Sequence, residues 1–419
     1  MARLNPAQLE IELFTAGVRL ASGREVLNTL IHRTRAGLGS GIEAILPAAK
    51  PIWINIPVVE SFTAQSPFVL QIEPPVNVTD ERNGERYPIR LAPRPDWYDA
   101  RTGSGKLMSR IGVLQGTCLA VYIGDTCEFW RDGQEARCGF CTTGLNLGRD
   151  EERRKSIRDV VEVARRAKQE SGITFVHFNS GHHSDVGLEL AAPYVKAIKE
   201  EVGALVGIQL TPDTDLWKYD ELIGLGVDHF SFCYELQDPH AFATHLPGKH
   251  SRIGQEAYFN ALRHVSAKMN RGSCSGEIIA GLEPIEKTYA AVDMITTMGA
   301  FPTICIFRPL VGARLEGAPA PSAQEMTPLF EYMIEACMRH SVPIGLAPNL
   351  EVSLVVLPTD ALYLAPDTSR FRWYRRRLKW LRLAAKPYFL WRMRTHRHSG
   401  KGSELLRLAR ERLPAWIWD

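Results

Sequence analysis

No apolar run of about 18 residues, the length a helix needs to cross a bilayer, occurs in this chain of 419 residues. That argues against a transmembrane helix. The opening stretch MARLNPAQLEIELFTAG places Glu10 and Glu12 where a secretion signal needs an unbroken apolar core, so the expected location is the cytoplasm. A dominant charge is also missing. The net charge is only +3, which gives no global sign of a polyanionic partner, and no nucleic acid is expected. Cysteine is sparse, at eight residues, too few for a disulfide scaffold and in keeping with a reducing compartment. Cys233, Cys274, Cys305 and Cys337 are scattered singly and read as small buried hydrophobes, Cys233 and Cys305 within apolar strand-like runs. What remains is an ordinary globular composition, 45% hydrophobic and 23% charged, long enough for a large α/β barrel with additions.

Residues 1–110 read as a separate module. A helical opening, PAQLEIELFTAGVRL, precedes the strand-like pieces IWINIPVV, SPFVLQIEP and RYPIRLAP, with asparagine, proline and glycine between them. The module is expected to be small and mainly β. Across 111–345 the rhythm changes. The run GTCLAVYIG leads to the helix IRDVVEVARRAKQESG, and strands ITFVHFNSG, ALVGIQLTP, VDHFSFCYE, GEIIAGLE and FPTICIFRPL alternate with further helices. Run-type apolar strands after helices predict a parallel sheet, open or barrel-like, and VPIGLAPNL is a weaker seventh candidate. Residues 346–419 form a C-terminal extension with basic helices. Within it, residues 370–397 hold eleven Lys and Arg and no Asp or Glu, interleaved with Trp373, Trp380, Phe389 and Trp391. Helical spacing gives Trp373, Trp380 and Leu381, with Tyr374 and Leu378, one broad apolar face, and Pro387 is expected to end or kink the helix. Two uses are open for this segment. One is packing on the barrel; the other is peripheral contact with an anionic membrane or an acidic electron donor.

The stretch CEFWRDGQEARCGFC, residues 127–141, brings Cys127, Cys138 and Cys141 together, with Phe140 before the last thiol. A structural zinc site wants four soft ligands. Cys118 could be the fourth, but it sits inside the strand GTCLAVYIG, a poor place from which to reach the loop. A redox C-x-x-C would not need Cys127. Three thiolates on an iron–sulfur cube leave one iron open to a ligand. The loop follows the first strand of the α/β series, and parallel α/β folds bind ligands at the carboxyl ends of their strands.

With that loop in that place, residues 111–345 resemble the radical S-adenosylmethionine (radical SAM) superfamily. The usual pattern is C-x3-C-x-aromatic-C. The first spacer here is longer, while the aromatic and the final C-x-x-C are kept. The likeness is nearest to the branch that includes biotin synthase and the hydrogenase-maturation barrel enzymes. The segments LPGK, EIIAGLEP and FRPLVGARLE also resemble a radical SAM group associated with nitrilase gene clusters. The resemblance implies an α/β partial TIM barrel. It implies a [4Fe–4S] cluster on Cys127, Cys138 and Cys141, with S-adenosyl-L-methionine (SAM) at the open iron. It further implies reductive cleavage of SAM to a 5′-deoxyadenosyl radical that takes hydrogen from a small-molecule substrate, with a flavodoxin- or ferredoxin-type electron donor.

The same resemblance assigns cofactor contacts. Phe140 would pack over the cluster or its ligand. Asn179, Ser180 and Gly181 stand in the turn that holds the SAM amino group, with His182 in place of the usual acid. Glu235 matches a SAM-contacting position at the end of the fourth strand, and Arg252, with Lys249 and His250 alongside, matches a basic residue facing the SAM carboxylate. Ile279 and Gly281 lie on the strand beside the adenine. Arg308, at the end of the sixth, is a candidate substrate contact or a structural ion pair. His177 reads as a core histidine. The alternative from another class is a non-catalytic barrel, stabilised by zinc or a cluster, that binds nucleic acid or an anionic partner through its basic tail.

Overall fold

Every second residue in the strands Phe175–Asn179, His229–Glu235 and Phe301–Ile306 is apolar and buried against helices, which turns the intervening positions toward the other face of a sheet. In the computed structural model, which describes residues 3–21, 31–33, 39–395 and 403–419, seven such strands form one sheet. They are β1 (Val113–Gln115), β2 (Cys118–Tyr122), β3 (Phe175–Asn179), β4 (Leu205–Gln209), β5 (His229–Glu235), β6 (Cys274–Ala280) and β7 (Phe301–Ile306). They lie side by side in chain order. β1 runs antiparallel to β2, and all the later pairs are parallel. Helices supply the crossovers, among them Ile157–Ser171, Gln255–Lys268 and Ile285–Thr297. Helix Ile157–Ser171 shows the local logic. Ser156 caps its N-terminus by accepting from the Asp159 amide, Gly172 ends it in the left-handed region, and Val160, Val161, Val163, Ala164 and Ala167 face the core. Among the described residues β7 pairs with β6 alone in the sheet, so the curved sheet stays open. This is the expected α/β partial TIM barrel. The short antiparallel β1 has no counterpart among the expected strands, and VPIGLAPNL forms none.

Irregular chain spans the open side. Pro348 and Asn349 carbonyls accept from Thr174 and Thr117 hydroxyls, at 2.8 and 2.9 Å. Further along, the Ser353 carbonyl accepts from the Asn55 amide at 2.7 Å, and Val356 forms an antiparallel bridge to Ile304 of β7. Residues 348–356 thus strap one side of the sheet to the other.

Among the described residues the N-terminal region holds the helix Pro6–Ala16, the short 3-10 turns Ser61–Gln65 and Asp96–Asp99, and two small four-stranded sheets. The helix starts with a capping box between Asn5 and Gln8. The tail forms helix Ser369–Arg392, with Pro387 inside it, so the proline does not end the helix. Pro387 lies far past the first turn, where a missing N–H is harmless, yet the helix runs on for five further residues. The apolar residues it buries are Phe371, Tyr374 and Leu378, whereas Trp373 and Trp380 face solvent. The expected single apolar face is therefore split in two. Among the described residues no helix is long and apolar enough to cross a membrane.

Candidate functional site

The cysteine loop leaves β2 at Tyr122 and is tied at once to the turn after β3. Cys127 caps a short helical turn, Glu128–Arg131. The Glu128 amide donates to the His182 carbonyl at 3.0 Å, and the Glu128 carboxylate accepts from the Ser184 amide and hydroxyl at 2.8 and 2.9 Å. The His182 amide donates to Cys127 Sγ at 3.3 Å, while its ring stacks on Phe129 at 4.8 Å. Gly181 is what permits this approach: a Cβ there would collide with the Cβ of Cys127. Its amide donates to the Tyr122 hydroxyl at 2.9 Å. The second half of the loop is a tight turn in which the Cys141 amide donates to the Cys138 carbonyl at 3.2 Å. Gly139 pins it by donating to the His245 carbonyl at 2.8 Å.

These contacts bring the three thiols to one cavity at the carboxyl ends of the strands, together with Tyr122, Phe140, Asn179, Ser180 and Gly181. The barrel wall below contributes Gln209, Cys233, Glu235, Glu277, Ile279 and Cys305. Burial pushes the Cys127 thiol up and the Cys138 thiol well up. All three cysteines line this cavity, although among the described residues no three His, Cys, Asp or Glu side chains are arranged to hold one metal ion. Among the described residues, too, the buried Asn179 Oδ1 and Ser180 Oγ have no hydrogen-bond partner. A buried acceptor left unpaired costs about 1–3 kcal/mol, so two of them beside three thiols fit a ligand that donates. The chain thus offers soft ligands and unfilled acceptors at the same spot.

Glu235 ends β5 with φ of 61°, in the left-handed region, after a register shift between Cys233 and Glu235. That twist aims its carboxylate into the cavity. Both of its oxygens accept from Lys249 Nζ at 2.6 Å. Burial pushes Glu235 up to about 7 against the pull of Lys249. Burial disfavours the Lys249 ammonium too, but Glu235 together with Tyr258, Cys138 and Cys233 pushes it well up.

The other expected positions divide. Phe140, Asn179, Ser180, Gly181, Glu235 and Ile279 line the cavity with the cysteines. Arg252 does not. It lies at the surface, where it pairs with Glu128 at 3.4 Å and with Asp132, while Lys249 lines the cavity. The two residues are three apart on the short helix Pro247–Arg252, and one turn decides which faces inward. Gly281 has φ of 101° and abuts Pro321, outside the cavity lining. Arg308 reaches the lining, but its guanidinium donates to the Asn55 carbonyl at 2.5 Å and sits over the Phe14 ring at 5.1 Å. It joins the end of β7 to Asn55 and Phe14. Cys118 lies at the far end of β2 with Phe175 and Leu205, about 13 Å of strand from Tyr122 at ~3.3 Å per residue. His177 packs between the rings of Phe175 and His229, at 5.6 and 6.1 Å.

Cys233 and Cys305 correct the sequence reading. Both take inward-facing positions on their strands and line the cavity instead of filling the core. Gln209 and Glu277 join them there, the Gln209 amide donating to Glu277 at 3.0 Å. A signal for this wall was present: Glu277 is a charge in the middle of an apolar strand, and Cys305 is two strand positions from Thr303 on the same face.

No protein-family profile matches the chain, and no curated protein matches it. Among solved structures it is similar to HydG, a maturase of the [FeFe]-hydrogenase, at 13% identity over 71% of this chain and 78% of that one, with a TM-score of 0.41. The FeFe-hydrogenase maturase HydG from Carboxydothermus hydrogenoformans gives 15% identity over 70% and 76%, TM-score 0.41. Methylornithine synthase (PylB) gives 17% over 61% and 74%, TM-score 0.40. Likenesses of this size assign neither fold nor function, which rest on the sheet topology and on the cavity.

Proposed function

We propose that the chain is a radical SAM enzyme in which Cys127, Cys138 and Cys141 hold a [4Fe–4S] cluster and the turns beside them hold SAM. Within the superfamily we place it in the biotin-synthase-like branch, near the nitrilase-associated group. The observation that carries the reading is the meeting of three thiols with the unfilled acceptors of Asn179 and Ser180, in one cavity at the mouth of a parallel partial barrel. When bound there, cluster and SAM supply reductive cleavage of the S–C5′ bond and hydrogen abstraction from a small molecule.

The chain's own residues have separable tasks. The cysteines bind as thiolates, which burial alone disfavours and a metal cluster favours. Asn179 Oδ1 and Ser180 Oγ accept from an ammonium, and Gly181 lets the backbone approach. Glu235 has lone pairs beyond those facing Lys249 and accepts from ribose hydroxyls or an amine. Lys249 neutralises and positions it, in the place the sequence suggested for Arg252. Ile279 and Phe140 give apolar faces. The strap residue Leu354 closes the lining and excludes water. An electron donor of flavodoxin or ferredoxin type would approach the cysteine loop.

Anaerobic reconstitution with iron and sulfide tests the reading. The protein should turn brown, bind four irons per chain in proportion to a [4Fe–4S] cluster, and release 5′-deoxyadenosine from SAM with dithionite. A colourless protein that takes one zinc tightly and leaves SAM intact would overturn it and favour the non-catalytic barrel.

A further inference from the structure

Helix Ser369–Arg392 has a buried side and a solvent side, and both carry aromatics. Phe371, Tyr374 and Leu378 are buried, with the Tyr374 hydroxyl donating to the Val342 carbonyl at 2.5 Å. On the solvent side Trp373 is 61% exposed, Trp380 72%, Leu383 56% and Leu390 48%. The seven-residue steps from Trp373 to Trp380 and from Leu383 to Leu390 put them along one ridge, about 26 Å long at ~1.5 Å per residue. Large apolar side chains standing in water on a row of this length mark a contact surface.

The charges beside the ridge say what kind. The helix contains nine Lys and Arg and no Asp or Glu. Three of the nine are engaged elsewhere: Arg372 pairs with Asp367, Arg392 with Asp228, and Arg382 donates to the Gly345 carbonyl. Among the described residues Arg370, Arg375, Arg376, Arg377, Lys379 and Lys386 make no ion pair. Arg377 lies over the Trp373 ring at 5.8 Å. The whole chain carries only +3, so this density is local to the helix.

We propose that this face docks in the plane of an anionic phospholipid bilayer. Tryptophan suits the headgroup level, where one end of the ring is wet and the other apolar, and flanking arginines and lysines meet lipid phosphates. A protein interface concentrates its energy in a central cluster, whereas this ridge is a line with cations along both flanks. The helix lies on the surface and does not cross it, in keeping with its polarity. The inference stands apart from the radical SAM reading, because it uses no residue of the cavity.

The test is co-sedimentation of the full chain with vesicles of phosphatidylcholine alone and of phosphatidylcholine with phosphatidylserine. Binding is expected only to the vesicles with phosphatidylserine, and it should weaken as salt shortens the Debye length below about 8 Å. Arg376→Glu with Lys379→Glu should weaken binding at least about tenfold. Trp373→Ala with Trp380→Ala should weaken it by a similar factor without changing far-UV circular dichroism, since both side chains are exposed. If neither vesicle sediments the chain at low salt, or if both double variants sediment like the parent, the proposal falls. It falls also if the face retains RNA or an acidic protein while lipid binding is absent.

Discussion

Two regions of this molecule bury several ionisable groups, and they resolve the cost in opposite ways. At the cavity mouth the buried carboxylate, Glu235, has a lysine held against both oxygens. What lacks compensation there is a set of thiols and two neutral acceptors. At the seam between the N-terminal helix and residues 351–360, three carboxylates surround one lysine. Lys50 meets Glu351 at 2.8 Å and Asp360 at 4.0 Å, while both oxygens of the fully buried Glu10 find no hydrogen-bond partner among the described residues. Burial pushes Glu10 well up, and it pushes Asp360 up to about 7, with Glu351 adding to the rise and Lys50 opposing it. The seam can settle its excess charge by holding protons. The mouth has its charge paired and its ligands unfilled, which is what a binding site looks like before its ligand arrives.

The sharpest way to break this contrast is Cys138→Ala. Two thiolates hold a cube poorly, so the variant should lose the cluster's low-spin electron paramagnetic resonance signal and all SAM cleavage, whereas Cys118→Ala should keep both. Equal loss from Cys118→Ala would return the four-ligand site.

Next in size is Lys249→Ala, which strands Glu235 in a buried site. Unfolding free energy should fall by about 3–5 kcal/mol at neutral pH, measured by denaturant titration. Glu235→Gln removes the charge without stranding it. It should weaken SAM binding by about 1–3 kcal/mol with the cluster intact, read by calorimetry. An unchanged affinity would take Glu235 out of the site.

The seam makes a prediction about pH. Asp360 binds its proton more tightly in the folded chain, about 7 against an ordinary 3.8. Between those values the folded state keeps a proton that the unfolded state has released. Its contribution to stability is therefore complete below about 4 and is lost as pH rises through about 7. Glu43, which burial also pushes up to about 7, acts in the same direction, and His229, which burial pushes down to about 4, acts in the opposite one. Comparison with Asp360→Asn isolates the seam. From about pH 5 to about pH 8 the parent should lose on the order of 1–3 kcal/mol more stability than the variant. Parallel profiles would mean that the seam does not hold the proton.

The smallest effect belongs to Arg252→Ala. Its partly exposed pairs with Glu128 and Asp132 are worth less than about 1 kcal/mol, and SAM affinity should move less than in Glu235→Gln. A larger loss of SAM binding would restore Arg252 to the site and demote Lys249.

Much of the scaffold was legible because its signals are local. Apolar runs, helix caps and the three-cysteine loop all sit within short windows, and they led to the parallel sheet and to the place of the loop at its mouth. The inner wall was not legible in the same way. Alternation tells that Cys233 and Phe232 face opposite sides, but which side is the cavity depends on the curvature of the whole sheet. The choice between Lys249 and Arg252 hung on the phase of one short helix. The aromatic tail failed for a related reason. Helical spacing could group Trp373, Trp380 and Leu381, yet only the docking of Tyr374 against Val342 fixes which face is buried. Arg308 was recognised as a strand-end cation, but its partner Asn55 is 253 residues away, beyond any local window.

The strap from 348 to 356 bears on how such a molecule can change. A closed barrel fixes its bore by strand number and tilt, so a wider chamber needs a different barrel. Here the flank opposite the sheet is irregular chain, anchored by carbonyls at Thr174, Thr117 and Asn55 and by a bridge at Ile304. Its side chains Ser353 and Glu351 are committed, to Glu43 and Lys50, but Leu354 faces the cavity and can be exchanged without disturbing a rung of the sheet or the cysteine loop. The room in the cavity thus depends in part on one side chain outside the sheet, while Cys127 is held by the turn after β3. A change at Leu354 would alter the size of the cavity and leave its cysteine wall as it is.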